Sequence, residues 1–424
     1  MKYSYYFAIV NLWLCAGLLL VSCEKSLEFA VPLDEIVFDS YPIEPVTIDI
    51  TSDVEWTATV IQEEEWLIVT PNQGKGSERI TLRARENASF TERTAQIAIT
   101  ANGIRTDTIH VIQEGSVDIA EKIEDKFFRQ YCLDTFDNAP QDGRLSLKEA
   151  KGIYEINTKG MKIKSLAGIE YFINLRTLNC SDNLIGNIDL SKNKEIRVLN
   201  CSYNPIDKIE LGELVKLTDL LIYGANLTKL DVSKNVTLIW LSVSQNQLTD
   251  IDVSKNVELQ ILECNENQLT NINVSNNTKL MSLYCGSNKL SQINVEKNQD
   301  LLHLWCNNNL LSSIEIGQNS KLQTFSCANN NFTSINVTKN IKLTQLRCDA
   351  NQLSSIDVTN NTELLDLKCS SNRLTKNVDI SKNKKLLYID FQNNKELDVI
   401  YVWSTFDKNN TYYKKDSETK YVEK

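Results

Sequence analysis

A 21-residue period constrains this chain more than any other feature. The pattern that opens at Leu175 restarts at Ile196, Leu217, Leu238, Leu259, Leu280, Leu301, Leu322, Leu343 and Leu364, each 21 residues after the last, and Leu386 follows after 22 because Asn377 adds one. A fixed period in the twenties marks a solenoid, whose units bury their apolar sides against one another. The same length is three heptads, so the offsets must decide. With the opening residue as position 1, apolar residues recur at 4, 6, 11, 14 and 16, which scatter over a heptad instead of holding two places. They do fit short alternating runs joined by turns: Leu259, Leu262 and Cys264, then Ile272 and Val274. Asn at positions 9 and 19 supplies the turn chemistry.

The unit, LxxLxCxxNxL followed by xxIDVSKN, resembles the leucine-rich repeat in a 21-residue form seen in bacterial surface proteins, over about half the chain. Each coil should contribute one short parallel strand with positions 4 and 6 inward and 3, 5, 7 and 8 on the concave face. The Asn at position 9 should turn inward and satisfy backbone groups of adjacent coils. Ala225 breaks that row, so a weak point of about 1–3 kcal/mol is expected there if those groups stay unpaired.

Eight of the eleven cysteines share position 6: Cys180, Cys201, Cys264, Cys285, Cys306, Cys327, Cys348 and Cys369. Ile222, Val243 and Phe391 take that place in other units, so the row fills apolar volume. Coils stacked about 4.8 Å apart give parallel Cβ vectors, whereas a disulfide needs converging ones. A straight row cannot supply tetrahedral metal ligands either. Buried free thiols are expected.

The chain has 424 residues and a formal net charge of −10, which argues against nucleic acid as a partner. Its N-terminus reads as a targeting signal: Lys2, an apolar run from Phe7 to Val21, then Leu20-Val21-Ser22-Cys23. That ending resembles a lipobox, which implies removal of 1–22, acylation of Cys23 and a lipid tether to a membrane. The implied address is the cell envelope, as an outer-membrane lipoprotein of the Bacteroidetes type, with the membrane face left open. An ordinary secretory signal with an incidental Cys is the plainer alternative.

A linker is expected over 23–35, then a β-sandwich over 36–115 built from VTIDI, WTATV, WLIVT, RITLRA, AQIAIT and IHVIQ. Trp56, Trp66-Leu67, Gly74, Asn87, Arg93 and the closing Val111-Ile112-Gln113 resemble the BACON domain, a family proposed to bind carbohydrate. Trp56 and Trp66 serve equally well as core aromatics, which makes the domain a spacer.

Over 116–152 a helical cap should cover the open end of the solenoid. Ile119, Ala120, Ile123, Phe127, Phe128 and Tyr131 fit one amphipathic helix, and Ser146-Leu147-Lys148-Glu149 is a capping box for a second. The loop between them partly matches a calcium loop through Asn138, Asp142 and Glu149, but Pro140 occupies a ligand place. The solenoid proper is expected over 153–406, closed by Val402, Trp403 and Phe406, with a frayed tail over 407–424. The fold class is thus mostly β: sandwich, small helical cap, solenoid.

On the concave face, Leu221, Tyr223, Trp240, Ile261, Tyr284 and Trp305 should form a contiguous apolar and aromatic stripe beside Glu263, His303 and Arg347. Aromatics with Arg at the rim are what interface hot spots consist of. Three functions remain: recognition of a protein partner, binding of a glycan, and a passive spacer, each by a monomer without cofactor. An enzyme is not expected. The chain has two His, His110 and His303, no P-loop or dinucleotide fingerprint, and carboxylates on an open sheet rather than in a pocket.

Overall fold

The computed structural model describes residues 28–424 except 43, 63–64, 103–104 and 139–140. The signal-like segment and Cys23 lie outside the described residues. Two compact units divide the chain, Met1–Ser116 and Val117–Lys424.

In the first unit nine strands form two sheets: β1 (Phe29–Ala30), β2 (Glu35–Phe38), β3 (Val46–Ser52), β4 (Glu55–Ile61), β5 (Leu67–Thr70), β6 (Gln73–Lys75), β7 (Glu78–Ala84), β8 (Arg93–Ala101) and β9 (Arg105–Gln113). One sheet runs β1-β3-β7-β5 and the other β2-β9-β8-β4-β6. Alternation puts Ile48, Ile50, Ile80, Leu82, Ile97, Ile99, Ile109 and Val111 in a shared core. The stretch assigned to a linker begins the fold instead, since Phe29–Ala30 pairs with Thr51 and Ser52 and Glu35–Phe38 lies parallel to His110–Gln113. Trp56 and Trp66 are buried. The Trp56 indole N–H donates to Gly76 O, and the Arg93 guanidinium lies 4.7 Å from the Trp66 ring centre. Both rings are therefore structural. Buried Gln113 donates to Asp39 O and Arg85 O and accepts from Arg93, and buried Asn87 donates to Thr91 O and Glu114 O.

The second unit opens on a 3₁₀ turn (Ile119–Lys122), then α1 (Lys126–Phe136) and α2 (Leu147–Lys151). One continuous helix was expected from Ile119. The chain instead breaks after Lys122, because the Asp125 carboxylate accepts from the N–H groups of Phe127 and Phe128 and caps a new helix. Phe127 is exposed, while Phe128 and Phe136 pack on Phe172 with ring centres 6.4 and 5.9 Å away. The Ser146–Glu149 capping box is present.

Then come β10 (Glu155–Asn157), β11 (Thr177–Asn179), β12 (Val198–Asn200), β13 (Asp219–Leu221), β14 (Trp240–Ser242), β15 (Ile261–Glu263), β16 (Ser282–Tyr284), β17 (His303–Trp305), β18 (Thr324–Ser326), β19 (Gln345–Arg347), β20 (Asp366–Lys368), β21 (Thr375–Asp379), β22 (Tyr388–Asp390), β23 (Glu396–Val402), β24 (Tyr413–Lys414) and β25 (Lys420–Glu423). A 13-stranded sheet takes β10 to β20, then β22 and β24, in sequence order, and β21-β23-β25 form a second, smaller sheet. Pairing is parallel throughout, with position over position: Leu241 beside Leu262, Leu262 beside Leu283, Leu283 beside Leu304. Near Asn377, the added residue, the β21–β23 register shifts.

Stacking makes the position-9 asparagines a buried ladder. Asn267 donates from Nδ2 to Val243 O, Cys264 O and Asn265 O, and its Oδ1 accepts the Leu248 N–H. Position 8, just before it, is left-handed in eleven coils, from Asp182 to Asn393, with φ between 52° and 64°. Only one of these is glycine, Gly224. Each other residue pays roughly 1–3 kcal/mol of strain to hold that conformation, and the saturated amide beside it holds it there. A second ladder runs along position 19, where Asn256 donates to Val232 O and Asn235 O.

At Ala225 the backbone groups do not stay unpaired. Cys201 O, Ile222 O and Tyr223 O accept from Asn204, Asn246 and the Tyr203 N–H. The Ile206 N–H, which a ladder amide would have met, donates to Asn204 O in a tight turn centred on Pro205. The expected weak point is rewired locally.

Nine cysteines, Cys132 and the ladder of eight, are buried and free, and Cys348 Sγ lies 3.1 Å from Cys369 Sγ. Burial pushes the Cys180 and Cys285 thiols up to about 12. The apolar interior is continuous from Ile119 to Phe406. Beyond it the tail is ordered rather than frayed. The Asp416 carboxylate accepts the N–H groups of Asn393 and Asn394, Thr419 Oγ1 donates to Leu397 O, and Lys424 pairs with Asp379. Phe406 stacks on Tyr413 at 4.7 Å with Trp403 and Tyr421 beside it, which closes the solenoid.

Two outcomes are expected. Asn267→Ala leaves the Leu248 N–H and its carbonyl partners short of bonds and should cost about 2–4 kcal/mol, whereas Ala225→Asn should stay within about 1 kcal/mol of the wild type, both read from urea denaturation. The thiol burial adds a pH dependence. Folded thiols stay protonated while unfolded ones ionise above about pH 9, so stability holds below that value and falls as pH rises towards about 12. The fall is about 1.4 kcal/mol per thiol per pH unit. Cys264→Val, which copies the residue native at Val243, should make the alkaline slope shallower.

Candidate functional site

Because inward positions are saturated by packing, the outer face of the long sheet carries the free chemistry. Register places its side chains in columns. Leu221, Ser242, Glu263, Tyr284, Trp305, Ser326, Arg347 and Lys368 form one, and Asp219, Trp240, Ile261, Ser282, His303, Thr324, Gln345 and Asp366 form the next.

The expected stripe is split by this register. Trp240 and Ile261 are neighbours in one column, Tyr284 and Trp305 in the other, and a hydrogen-bonded pair, Ser242 Oγ to Glu263 Oε2 at 2.8 Å, separates Leu221 from Tyr284. Leu221, Tyr223, Trp240, Ile261, Glu263, Tyr284, His303 and Arg347 are half-buried, and Trp305 is 42% exposed. Trp240 Nε1 is buried without a partner. Tyr223 lies against Tyr203, ring centres 5.1 Å apart. Tyr203 is exposed and was missed by sequence reasoning, because attention to strand positions passes over the left-handed one. The readable signal is Gly224: a Cβ there would come within 2.9 Å of the Tyr203 ring.

Trp305 is held on two sides. Tyr284 packs edge-on at 5.0 Å, and the indole N–H donates to Thr324 Oγ1 at 3.3 Å, the same hydroxyl that pairs with His303 Nδ1 at 3.0 Å. Burial holds the His303 imidazole below its usual pKa, which favours its neutral form. Arg347 is not a free rim charge. Its Nε and Nη2 donate to Asp366 Oδ2, which Gln345 Nε2 also reaches.

Between Trp305 and Lys368 lies a cavity of about 380 Å³, lined also by Asn307, Asn308, Ser326, Ala328, Asn329, Gln345, Arg347 and Asp349. One Asp349 carboxylate oxygen is buried with no partner, and burial raises its pKa. Lys368 and Asn307 are further residues that the sequence did not single out, and Asp349, expected among the carboxylates of an open sheet, is instead half-buried in the wall of this cavity.

At the cap loop the calcium candidates are engaged otherwise. Glu149 accepts from the Asn138 and Ser146 N–H groups, Asp142 accepts from the Arg144 N–H, and Asn138 Nδ2 donates to Phe136 O. Among the described residues no group of three or more His, Cys, Asp or Glu is placed to hold a metal ion, and no described helix is long and apolar enough to cross a membrane.

Residues 45–116 match the model of the viral BACON domain. No curated protein sequence matches the chain. Among solved structures, the chain is similar to the functional domain of InlJ from Listeria monocytogenes, described as including a cysteine ladder, with 27% identity, 72% of each chain covered and a TM-score of 0.61. It is similar also to an internalin, InlF, from Listeria monocytogenes (22% identity, 72% of this chain and 97% of that one, TM-score 0.62) and to a TDR receptor (21%, 63% and 56%, TM-score 0.56). The solenoid thus has the leucine-rich repeat fold, carries a cysteine ladder, and follows a unit that matches the BACON family.

Proposed function

We propose that this is a non-catalytic recognition protein of the cell envelope, tethered through lipidated Cys23, that binds a protein partner across the outer face of its long sheet. The observation that carries this is the run of aromatic and aliphatic side chains over consecutive coils, from Tyr203 and Tyr223 through Trp240 and Ile261 to Tyr284 and Trp305. Six such groups on one rigid face suit a protein interface, in which a few large side chains carry most of the energy within a polar surround. The rigidity lowers the cost of ordering on association. The likeness to internalin-type repeats supports the fold of such a surface; the partner is named by none of it.

The test compares wild type with Trp240→Ala and Tyr223→Ala in cross-linking and quantitative capture from the surface of producing cells. A hot-spot truncation of about 2 kcal/mol or more corresponds to roughly thirtyfold weaker binding. Capture undiminished in both variants points to a passive spacer and defeats the proposal. For the tether, Cys23→Ser should move the protein out of the membrane fraction, and protease shaving of intact cells reports which face it occupies.

A further inference from the structure

We infer that the notch between Trp305 and Arg347 is a carbohydrate subsite that takes one uncharged pyranose ring, a feature that goes beyond the protein-binding reading of this face and stands independently of it. The notch exists because the coil between its walls is small where its neighbours are large. Ser326 stands between Trp305 and Arg347 in one column, and Ala328 stands between Asn307 and Asp349 two residues on. Its volume of about 380 Å³ lies at the small end of ligand pockets.

Three observations choose the ligand. The first is the platform. Trp305 is the most exposed of the aromatics on this part of the sheet, yet it is fixed by Tyr284 on one side and by Thr324 through its N–H. A pre-oriented aromatic ring offers an apolar surface to the C–H face of a sugar at low entropic cost. The second is polarity. Apart from Trp305 and Ala328 the lining is amide, hydroxyl and charge, and a buried Asp349 oxygen has no hydrogen bond. A hydroxyl-rich ligand supplies donors to the Asp349 carboxylate and acceptors to Asn307 and Lys368. The third is charge balance. Arg347 is neutralised by Asp366, which leaves Asp349 and Lys368 as one charge of each sign. An anionic group would meet Asp349 and a cationic side chain would meet Lys368, so an uncharged ring fits better than either.

The experiment is saturation-transfer difference NMR on the full chain, using methyl glycosides of glucose, galactose, mannose and N-acetylglucosamine at millimolar concentration. At least one should receive saturation, and Trp305→Ala should weaken it tenfold or more. Ala328→Leu fills the notch without touching the platform and should abolish transfer as well; circular dichroism and the urea midpoint confirm that each variant is folded. No transfer to any of the four glycosides overturns the inference, as does transfer unchanged in both variants, which would place sugar binding elsewhere in the chain. No transfer to any glycoside, with protein capture that depends on Trp240, would leave the partner-binding proposal standing while the subsite failed; loss of Trp240 dependence with glycoside binding intact would be the reverse.

Discussion

The buried amide at position 9 is the interaction on which the architecture depends. A coil that closes in 21 residues must turn sharply after its strand, and the turn directs carbonyls inward where no water reaches them. One asparagine per coil answers this with two N–H donors for carbonyls of its own and the preceding coil, and an acceptor for an N–H of the coil before. Every partner outside its own turn is about one period away, so the bonding that satisfies a coil also fixes its height and register on its neighbour. The left-handed residues at position 8 follow as a consequence. Gln245, Glu266 and Ala350 have no intrinsic taste for positive φ and adopt it because the amide beside them is anchored.

That coupling explains what the sequence discloses. Identity at a fixed spacing becomes vertical rows, so the spacing alone places Leu262, Cys264 and the first asparagine row. Departures from the pattern were less readable, since each is settled by a local alternative. Ala225 is tolerated because Pro205, one coil earlier, bends the chain so that Ile206 finds another acceptor. Asp125 splits what looked like one helix, because a carboxylate before Lys126 competes successfully for the N–H groups that a continuous helix would have used. At the far end Asp416 and Thr419 satisfy backbone groups with residue types unlike the repeat, so the tail carried no periodic signal although it is ordered.

The outer face was legible in composition but not in pairing. Spacing alone put Trp240 and Trp305 on one face. It also set them in different columns, at positions 3 and 5, but could not reveal that Arg347 reaches forward to Asp366 in the next coil and loses its independence. Side chains here interact mainly across coils, about 21 residues apart, and which of several neighbours a long side chain selects depends on the sizes of all of them. Asp349 shows the same limit. Nothing in its type distinguishes it from the solvated Asp residues of the turns, such as Asp252, whose carboxylate accepts the Ser254 N–H; only burial does.

A solenoid sheet has no loops with which to build a pocket, so concavity on this face must come from differences in side-chain volume between successive coils. The inner rows forbid such variation, because a change of one methylene in close-packed volume is felt. The outer columns permit it, and the run Trp305, Ser326, Arg347 is a large–small–large sequence in a single column. Hydrogen bonds to Thr324 and Asp366 then fix the side chains of both walls in place. Specificity on this scaffold is therefore written in the size order of a column, while the ladder beneath holds the spacing that makes the order meaningful.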